Sequence, residues 1–149
     1  MIKISKFLDP KLIVFIDVKS RDEALQKMVD LLHQNGKLAD SAVFFQAIIQ
    51  REKIVSTGIG MGVAIPHAKL SEFNDFFIAI GILKNGMEWH ALDDAPVRVV
   101  IMIGGPDDKQ TEYLQILSKL TLALKDEQRR KKMLTMNSPT DIIELFKAF

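Results

Sequence analysis

Apolar residues recur at helical spacing in two segments near the start of the chain. In the first segment, Ser20 and Glu23 have the spacing of a capping box and Gly36 ends the apolar pattern, which predicts a helix between them. A second helix is predicted to begin at Asp40, whose side chain would accept a hydrogen bond from the first turn. The residues expected to form its buried stripe are Val43, Phe44, Ala47 and Ile48.

The pattern changes to short apolar runs in the middle of the chain. The glycine-rich segment STGIGMG leads into a short predicted strand that stops at Pro66. Phe76–Leu83 and Val97–Ile103 are apolar and rich in β-branched residues, which predicts two further strands. Asn85 and Gly86 lie between these two runs and have the composition of a tight turn.

Helical spacing returns after the Gly-Gly-Pro sequence that ends at Pro106. A short helix is predicted around Glu127–Leu134, and a last helix has Ser138 as its N-cap and Pro139 at its first position. Two helices, three or four strands and three helices in this order predict an α/β fold, a three-layer sandwich with a small mixed β-sheet and helices on both faces. The apolar stripe of the first of these three helices comprises Tyr113, Leu114, Ile116, Leu117, Leu120 and Leu124.

The composition is that of a globular protein. Of the 149 residues, 48% are hydrophobic and 26% are charged, so we expect a single domain over residues 1–149. The net charge of +1 gives no general attraction for nucleic acid, and the basic run Arg129–Lys132 is better explained as a solvated helix face. The chain has no cysteine, which excludes disulfides, thiolate metal sites and a cysteine nucleophile.

An apolar run near the N-terminus does not have the features of a targeting or membrane segment. Leu12–Ile16 is short, with Asp9 and Pro10 before it and Asp17 after it. A signal peptide or a membrane span requires a longer apolar stretch. We therefore expect a cytoplasmic protein with no direct membrane insertion.

The three histidines differ in their surroundings. His33 falls on the first predicted helix, and His90 falls in a strand–turn region, so structural roles suffice for both. His67 directly follows Pro66, which restricts the backbone ahead of it, and lies just beyond the glycine-rich segment. His67 is therefore the strongest candidate for chemistry.

The segment upstream of His67 contains groups that suit a phosphoryl group. Backbone N–H groups in the glycine-rich turn could converge on an anion, Thr57 adds a hydroxyl, and Arg51 can pair with a phosphate. An imidazole nucleophile beside such donors could accept a phosphoryl group. From spacing alone, a tight loop beside a strand-end histidine explains the same residues equally well. Neither a dinucleotide-binding fingerprint nor a P-loop matches this segment.

The ordered sequence REK, STGIGMG and VAIPHAK, from Arg51 to Lys69, resembles the enzyme IIA domain of the bacterial phosphoenolpyruvate-dependent sugar phosphotransferase system, fructose–mannitol class. It also resembles the nitrogen-regulatory branch of that class, and the likeness extends through DDAPVRVVIMIGGP and KQTEYLQILSKL. The resemblance implies that an HPr-type phosphocarrier phosphorylates His67 on Nε2 and that an enzyme IIB cysteine then takes the group. It implies that Arg51 stabilises the phosphoryl group. No cofactor or metal is expected, because the nearby carboxylates Glu52 and Glu72 form no obvious pair with His67. The adjoining phosphate-binding turn would comprise Thr57, Gly58, Ile59 and Gly60.

Tyr113 is a departure from the pattern of that family. The family often has a second histidine on the later helix, and the matching position here is Tyr113. A tyrosine hydroxyl can donate a hydrogen bond, but it carries no positive charge at neutral pH. Tyr113 is therefore a candidate site residue, although an ordinary aromatic residue on the core stripe explains it as well.

Two functions agree with the resemblance. The first is phosphoryl transfer during sugar uptake, from an HPr-type phosphocarrier to enzyme IIB. The second is a nitrogen-branch regulatory phosphoprotein, in which the phosphorylation state of His67 controls a partner kinase or an ion transporter. A third hypothesis, a regulatory domain of a membrane transporter that shares the fold but has lost phosphotransfer, is disfavoured by the intact Ile-Pro-His sequence and the upstream arginine. Partner docking would need exposed apolar residues near His67, for which the candidates are Ile59, Met61 and Val63, although each could equally belong to the core.

Overall fold

The computed structural model describes residues 2–149, and the strands of this part of the chain form one mixed β-sheet. The sheet order is β1-β5-β6-β3-β2, and β4 also pairs with β6 beyond the end of β3. The β5–β6 and β2–β3 pairs are antiparallel, and the other pairs are parallel. The strands are β1 (Ile13–Ile16), β2 (Gly58–Gly60), β3 (Val63–Ala64), β4 (His67–Lys69), β5 (Phe77–Met87) and β6 (Val97–Gly105).

The first two α-helices begin where the sequence predicts their caps. The Ser20 hydroxyl accepts a hydrogen bond from the Glu23 N–H, and the Asp40 carboxylate accepts one from the Val43 N–H. Short 3₁₀ helices at Ile4–Phe7 and Pro10–Leu12 precede β1. The α-helices are α1 (Arg21–Gln34), α2 (Ser41–Ile54), α3 (Gln110–Leu124), α4 (Glu127–Thr135) and α5 (Pro139–Glu144). None of the helices within residues 2–149 has the length and apolarity that crossing a bilayer would require.

Two hydrophobic cores lie on opposite faces of the sheet, because successive side chains of a strand point to opposite sides. In β5, Phe77 and Ala79 pack on the side of α1 and α2. The alternate residues Ile78 and Ile80 pack on the side of α3, α4 and α5. The prediction of an α/β three-layer sandwich with helices on both faces is therefore confirmed.

The strand pattern differs from the sequence prediction in the glycine-rich region and at the N-terminus. The apolar run Leu12–Ile16 contributes the edge strand β1, and the glycine-rich segment itself contributes β2. The predicted strand does stop near Pro66, but pairing resumes at once, so His67 begins β4. Pro66 has no N–H to donate, and its carbonyl accepts a hydrogen bond from the Ile103 N–H at 3.0 Å.

The predicted Asn85–Gly86 turn is wrong. Strand β5 continues through both residues to Met87, and the connection to β6 follows at residues 88–96. The pairing register shifts between Ile82 and Met87, which places Asn85 and Gly86 in an irregular part of the strand. A Cβ at Gly86 would lie 2.8 Å from the Pro96 Cβ, so the glycine permits a close approach rather than a chain reversal.

Exposure of two predicted stripe residues corrects the helix faces. Val43 on α2 is 47% exposed and Leu114 on α3 is 52% exposed, so neither belongs to a core. The buried residues of α2 are Phe44, Ile48 and Glu52, which are spaced four apart along one side of the helix.

The basic run Arg129–Lys132 is only partly a solvated helix face. Arg129 Nη1 donates to the Ala123 carbonyl at 2.7 Å, and Arg130 Nη1 donates to the Leu124 carbonyl at 2.7 Å. These carbonyls belong to the last turn of α3, where no helical N–H is left to bind them. Two of the four basic side chains therefore cap α3.

We predict that Gly104→Ala lowers the free energy of unfolding by about 1–3 kcal/mol, because the added Cβ overpacks a filled core. This Cβ would lie 2.2 Å from the Phe77 Cζ, and Phe77 is itself held against Phe44 and Phe73. Urea denaturation measures the change. The double variant Gly104→Ala/Phe77→Leu should lose less stability than the two single changes together; strictly additive losses would contradict the overlap.

Candidate functional site

His67 lies at the start of β4, between a helix from each face of the sheet. Its parallel pairing partner is Ile103 in β6, which fixes the backbone position. Arg51, one turn before the end of α2, approaches from one side, and Tyr113 of α3 approaches from the other. The structure thus brings together the three candidate site residues His67, Arg51 and Tyr113.

Two hydrogen bonds orient the imidazole of His67. Its Nδ1 lies 3.0 Å from the Ile65 carbonyl oxygen, and its Nε2 lies 3.3 Å from the Arg51 Nε. A carbonyl can only accept and a guanidinium N–H can only donate. Both contacts are satisfied when Nδ1 carries the proton and Nε2 keeps its lone pair. Nε2 is therefore the nucleophilic nitrogen of this tautomer.

The guanidinium of Arg51 is held from its own helix. Arg51 Nη1 donates to the Val55 carbonyl at 2.8 Å, just beyond the end of α2. This bond leaves the Nε–H directed at His67 Nε2. A fixed positive charge therefore lies beside the lone pair at which a phosphoryl group would be attached.

Burial lowers the pKa of His67 from its usual value of 6.5, since the charged imidazolium is poorly solvated there. The hydrogen bond to the Ile65 carbonyl opposes this change, and the positive charges of Arg51 and Lys69 lower the pKa further. Glu52 acts weakly in the opposite direction. The neutral imidazole, which is the nucleophilic form, is therefore favoured at neutral pH.

Tyr113 forms the α3 side of the site. Its ring centroid lies 5.5 Å from that of His67, and the ring also stacks against Phe76 at 6.3 Å. Burial raises the pKa of Tyr113 to about 12, although the Arg51 charge counteracts this in part. The hydroxyl therefore remains a hydrogen-bond donor throughout the neutral range, and the residue serves the core and the site at once.

Two clefts flank His67. One has a volume of about 240 Å³ and is lined by Arg51, Thr57, Ile59, His67 and Tyr113 among others. The second, of about 370 Å³, is lined by Ala47, Arg51, His67, Ala68, Lys69 and Asp107. The side chain of His67 therefore borders two clefts.

A buried hydrogen-bond network lies beneath the site. The carboxylate of Glu52, 4% exposed, accepts from the Thr57 N–H at 2.7 Å and from the Thr57 hydroxyl at 2.6 Å. The Trp89 indole N–H donates to the same hydroxyl at 3.2 Å. Glu52 follows Arg51 on α2, so this network ties the helix end to the glycine-rich segment.

Thr57 and Ile59 of the predicted phosphate-binding turn line one cleft, but the donors of Thr57 and Gly58 already have partners in the protein. Thr57 uses both of its donors on Glu52, and the Gly58 N–H donates to the Ser56 hydroxyl at 3.0 Å. A Cβ at Gly58 would lie 2.7 Å from the Ala91 Cβ, so the glycine lets the segment after Trp89 pack closely. Phosphate binding by Thr57, Gly58, Ile59 and Gly60 stays a prediction.

Only two of the three apolar residues predicted for partner docking reach the surface. Val63 is fully buried in the core, whereas Met61 is 40% exposed and Ile59 is half-buried at the cleft. Sequence reasoning missed Ile54 and Val55, which follow Arg51 closely and are 78% and 54% exposed. Ile54 is the last residue of α2 and Val55 follows it, and this position at the end of a helix with an amphipathic pattern is the sequence feature that could have indicated them.

The other two histidines lie apart from this arrangement. His33 Nδ1 contacts the Leu38 carbonyl at 3.0 Å, and His90 is exposed next to Glu88. Within residues 2–149, no group of three or more His, Cys, Asp or Glu side chains is arranged to hold a metal ion.

Comparison with known proteins gives one consistent family. Residues 6–149 match the model described as "Phosphoenolpyruvate-dependent sugar phosphotransferase system, EIIA 2". The chain is 37% identical over 130 residues to a Bacillus subtilis protein named "PTS system fructose-specific EIIABC component". This match covers 87% of the chain but 20% of the relative, so the chain spans about a fifth of the length of that protein.

Solved structures share the fold over nearly the whole chain. The crystal structure of nitrogen regulatory protein IIA-Ntr from Neisseria meningitidis superposes with a TM-score of 0.90 at 27% identity, covering 97% of this chain and 99% of that chain. A complex of enzyme IIAMTL and phosphorylated enzyme IIBMTL from Escherichia coli gives 0.81 at 21% identity, covering 95% and 98%. The second likeness concerns the fold alone.

We predict that His67 titrates below its usual pKa of 6.5 and that Arg51→Gln raises this pKa without restoring it fully, because burial is the larger cause. NMR titration of the imidazole protons measures both values, with Arg21→Gln as a control at an arginine paired with Asp22. Because the folded-state pKa is lowered, His67 contributes stability above pH 6.5 that is lost as the pH falls. A His67 pKa above 6.5, or one indifferent to Arg51→Gln, would contradict the arrangement.

Proposed function

Since the chain belongs to the EIIA 2 family of the phosphoenolpyruvate-dependent sugar phosphotransferase system, we propose that it is a phosphoryl carrier and that His67 holds the phosphoryl group. One observation carries the proposal: His67 has its Nδ1 proton engaged by a carbonyl and its Nε2 lone pair beside an arginine. We propose that residues 1–149 act as one EIIA-type domain and do so in the cytoplasm.

In the proposed reaction, the Nε2 lone pair attacks the phosphorus of a donor phosphohistidine on an HPr-type phosphocarrier. The new Nε2–P bond forms as the donor N–P bond breaks, and the electron pair returns to the donor imidazole. The Nδ1–H remains bonded to the Ile65 carbonyl throughout, which keeps the ring from turning. Arg51 then directs its N–H groups at the phosphoryl oxygens, where charge accumulates in the transition state.

The second step proposed is transfer to a cysteine of enzyme IIB. The thiolate attacks the phosphorus, an S–P bond forms, and the Nε2–P bond breaks to restore the original tautomer. The Escherichia coli neighbour, solved as a complex with phosphorylated enzyme IIB, supports this class of partner. The exposed apolar residues Ile54, Val55 and Met61 could form the apolar part of an interface, which becomes desolvated when a partner covers it.

A nitrogen-regulatory role is the second candidate. The similarity to nitrogen regulatory protein IIA-Ntr, at a TM-score of 0.90, favours it. In this role the phosphorylation state of His67 would control a partner kinase or an ion transporter, and no sugar would be involved. The chemistry at His67 is the same in both, so the branches differ in which phosphocarrier donates and which protein responds.

We predict that the protein incubated with phosphoenolpyruvate, enzyme I and HPr gains one acid-labile, base-stable phosphate and that His67→Gln abolishes it. His90→Asn should label like the wild type, since His90 is exposed and asparagine tolerates its φ of 53°. Arg51→Gln should slow labelling by about tenfold or more through loss of a charge-assisted hydrogen bond. Label persisting in His67→Gln would move the site elsewhere.

The same assay with a nitrogen-branch phosphocarrier in place of HPr distinguishes the two candidates. Faster labelling by HPr together with transfer to a IIB cysteine supports sugar uptake. Labelling confined to the nitrogen-branch carrier supports the regulatory role. A wild-type protein that accepts phosphate from neither carrier would refute the phosphoryl-carrier proposal.

We predict that Tyr113→Phe shortens the lifetime of the phosphohistidine by a few fold. The variant loses the hydrogen bond that the Tyr113 hydroxyl would donate to the phosphoryl group, and a neutral hydrogen bond contributes about 1 kcal/mol. The variant keeps the ring that packs against Phe76 and His67, so its melting temperature should stay close to that of the wild type. Release of phosphate from the isolated phosphoprotein measures the lifetime. An unchanged lifetime would assign Tyr113 to packing only.

A further inference from the structure

Lys69 lies on the same side of β4 as His67. The two residues are separated by Ala68, whose methyl group packs into the opposite core, so their side chains leave the strand on one face. Both residues line the cleft that Arg51 also lines. Lys69 is therefore a second cation that lies close to the imidazole of His67 in the sequence and lines the same cleft.

The ammonium of Lys69 is held in place by two neighbours. It donates to Gln110 Oε1 at 2.6 Å and lies 4.2 Å above the centroid of the Tyr113 ring. The same Tyr113 ring also lies next to His67, with 5.5 Å between the two ring centroids. No ion pair within residues 2–149 includes Lys69, although Asp107 lines the same cleft.

This position is not one that helix electrostatics favours. Gln110 is the first residue of α3, and a helix N-terminus carries partial positive charge that repels a cation. Cation–π attraction and one hydrogen bond hold the ammonium there, and both are weak enough at a half-exposed site to be exchanged. A phosphoryl group with nearly two negative charges is a stronger partner for the flexible lysine than either.

From this geometry we propose that Lys69 is a second phosphoryl-binding cation of the site, which rests on Tyr113 and Gln110 when His67 is unphosphorylated. On phosphorylation, the ammonium leaves the ring and donates to a phosphoryl oxygen opposite Arg51. Tyr113 is neutral at the position where a second histidine would supply a charge, and Lys69 supplies that charge instead. The inference rests on the proposed function, because it requires a phosphoryl group on His67.

The test labels His67 with phosphoramidate, a small phosphoryl donor that needs no protein partner. The His67 Nε2–P bond forms as the donor P–N bond breaks and ammonia leaves. Lys69→Met keeps the stem on the Tyr113 ring and removes the charge, Lys69→Arg keeps a charge, and Lys84→Met is the matched control. Lys84 is an exposed lysine on β5 of the same sheet. It lies six residues along the strand from Ile78, and Ile78 is the residue of β5 that pairs with Ile103, the pairing partner of His67.

We expect Lys69→Met to slow phosphoramidate labelling by about tenfold, as the loss of one charge-assisted hydrogen bond implies. Lys69→Arg should recover most of the rate. In ³¹P NMR titrations, the phosphoryl pKa should be higher in Lys69→Met than in the wild type, because a nearby cation favours the dianion. A purely structural role would not move this titration. Lys69→Gln replaces Lys69→Met if the latter does not fold.

Other results would overturn the inference. Labelling rates and ³¹P titrations of Lys69→Met equal to those of Lys84→Met would show that Lys69 does not bind the phosphoryl group, while the His67 proposal would stand. A Lys69→Met defect seen with HPr but not with phosphoramidate would assign Lys69 to docking and would also overturn it. A wild-type protein that neither HPr nor phosphoramidate labels on His67 would instead refute the proposed function itself.

Discussion

The pairing of β6 on both of its edges is the constraint on which the rest of the structure depends. Strand β5 occupies one edge, and β3 and β4 share the other, while helices cover both faces. Every residue of β6 except Arg98 is buried. Because β4 is held in register with the end of β6, His67 takes its position from a strand that is almost wholly buried and not from a loop.

Each of the three layers of the sandwich contributes one side chain to the site. Arg51 comes from α2 on one face, His67 from the sheet, and Tyr113 from α3 on the other face. The buried carboxylate of Glu52 keeps the end of α2 in contact with Thr57, so the guanidinium next to it is positioned from inside the core. Buried polar networks of this kind hold their geometry because any displacement would leave a charge unpaired.

The sequence predicted the helices well because their caps and periodic faces are local features, as Ser20 and Asp40 illustrate. It singled out His67, Arg51 and Tyr113 through a motif, and the structure places them in contact. The contact of Trp89 with Thr57 spans 32 positions, and that of Lys69 with Gln110 spans 41, so no local pattern indicates them. The burial of Glu52 could have been predicted from the sequence, since Glu52 continues the four-residue spacing of Phe44 and Ile48. The turn prediction at Asn85 and Gly86 was wrong because a glycine that permits a close approach cannot be distinguished, in the sequence, from a glycine that a turn requires.

The carbonyl of Ile65 has a consequence for how partners share the protein. Because it holds the Nδ1 proton, the only ring lone pair of the imidazole is that of Nε2, and any phosphoryl group must arrive and depart along the same line through Nε2. A donor and an acceptor that both need this line cannot be seated together. In the proposed function, the two partners therefore take turns at one face, so the protein works as a shuttle with ping-pong kinetics, and each partner is a competitive inhibitor of the other.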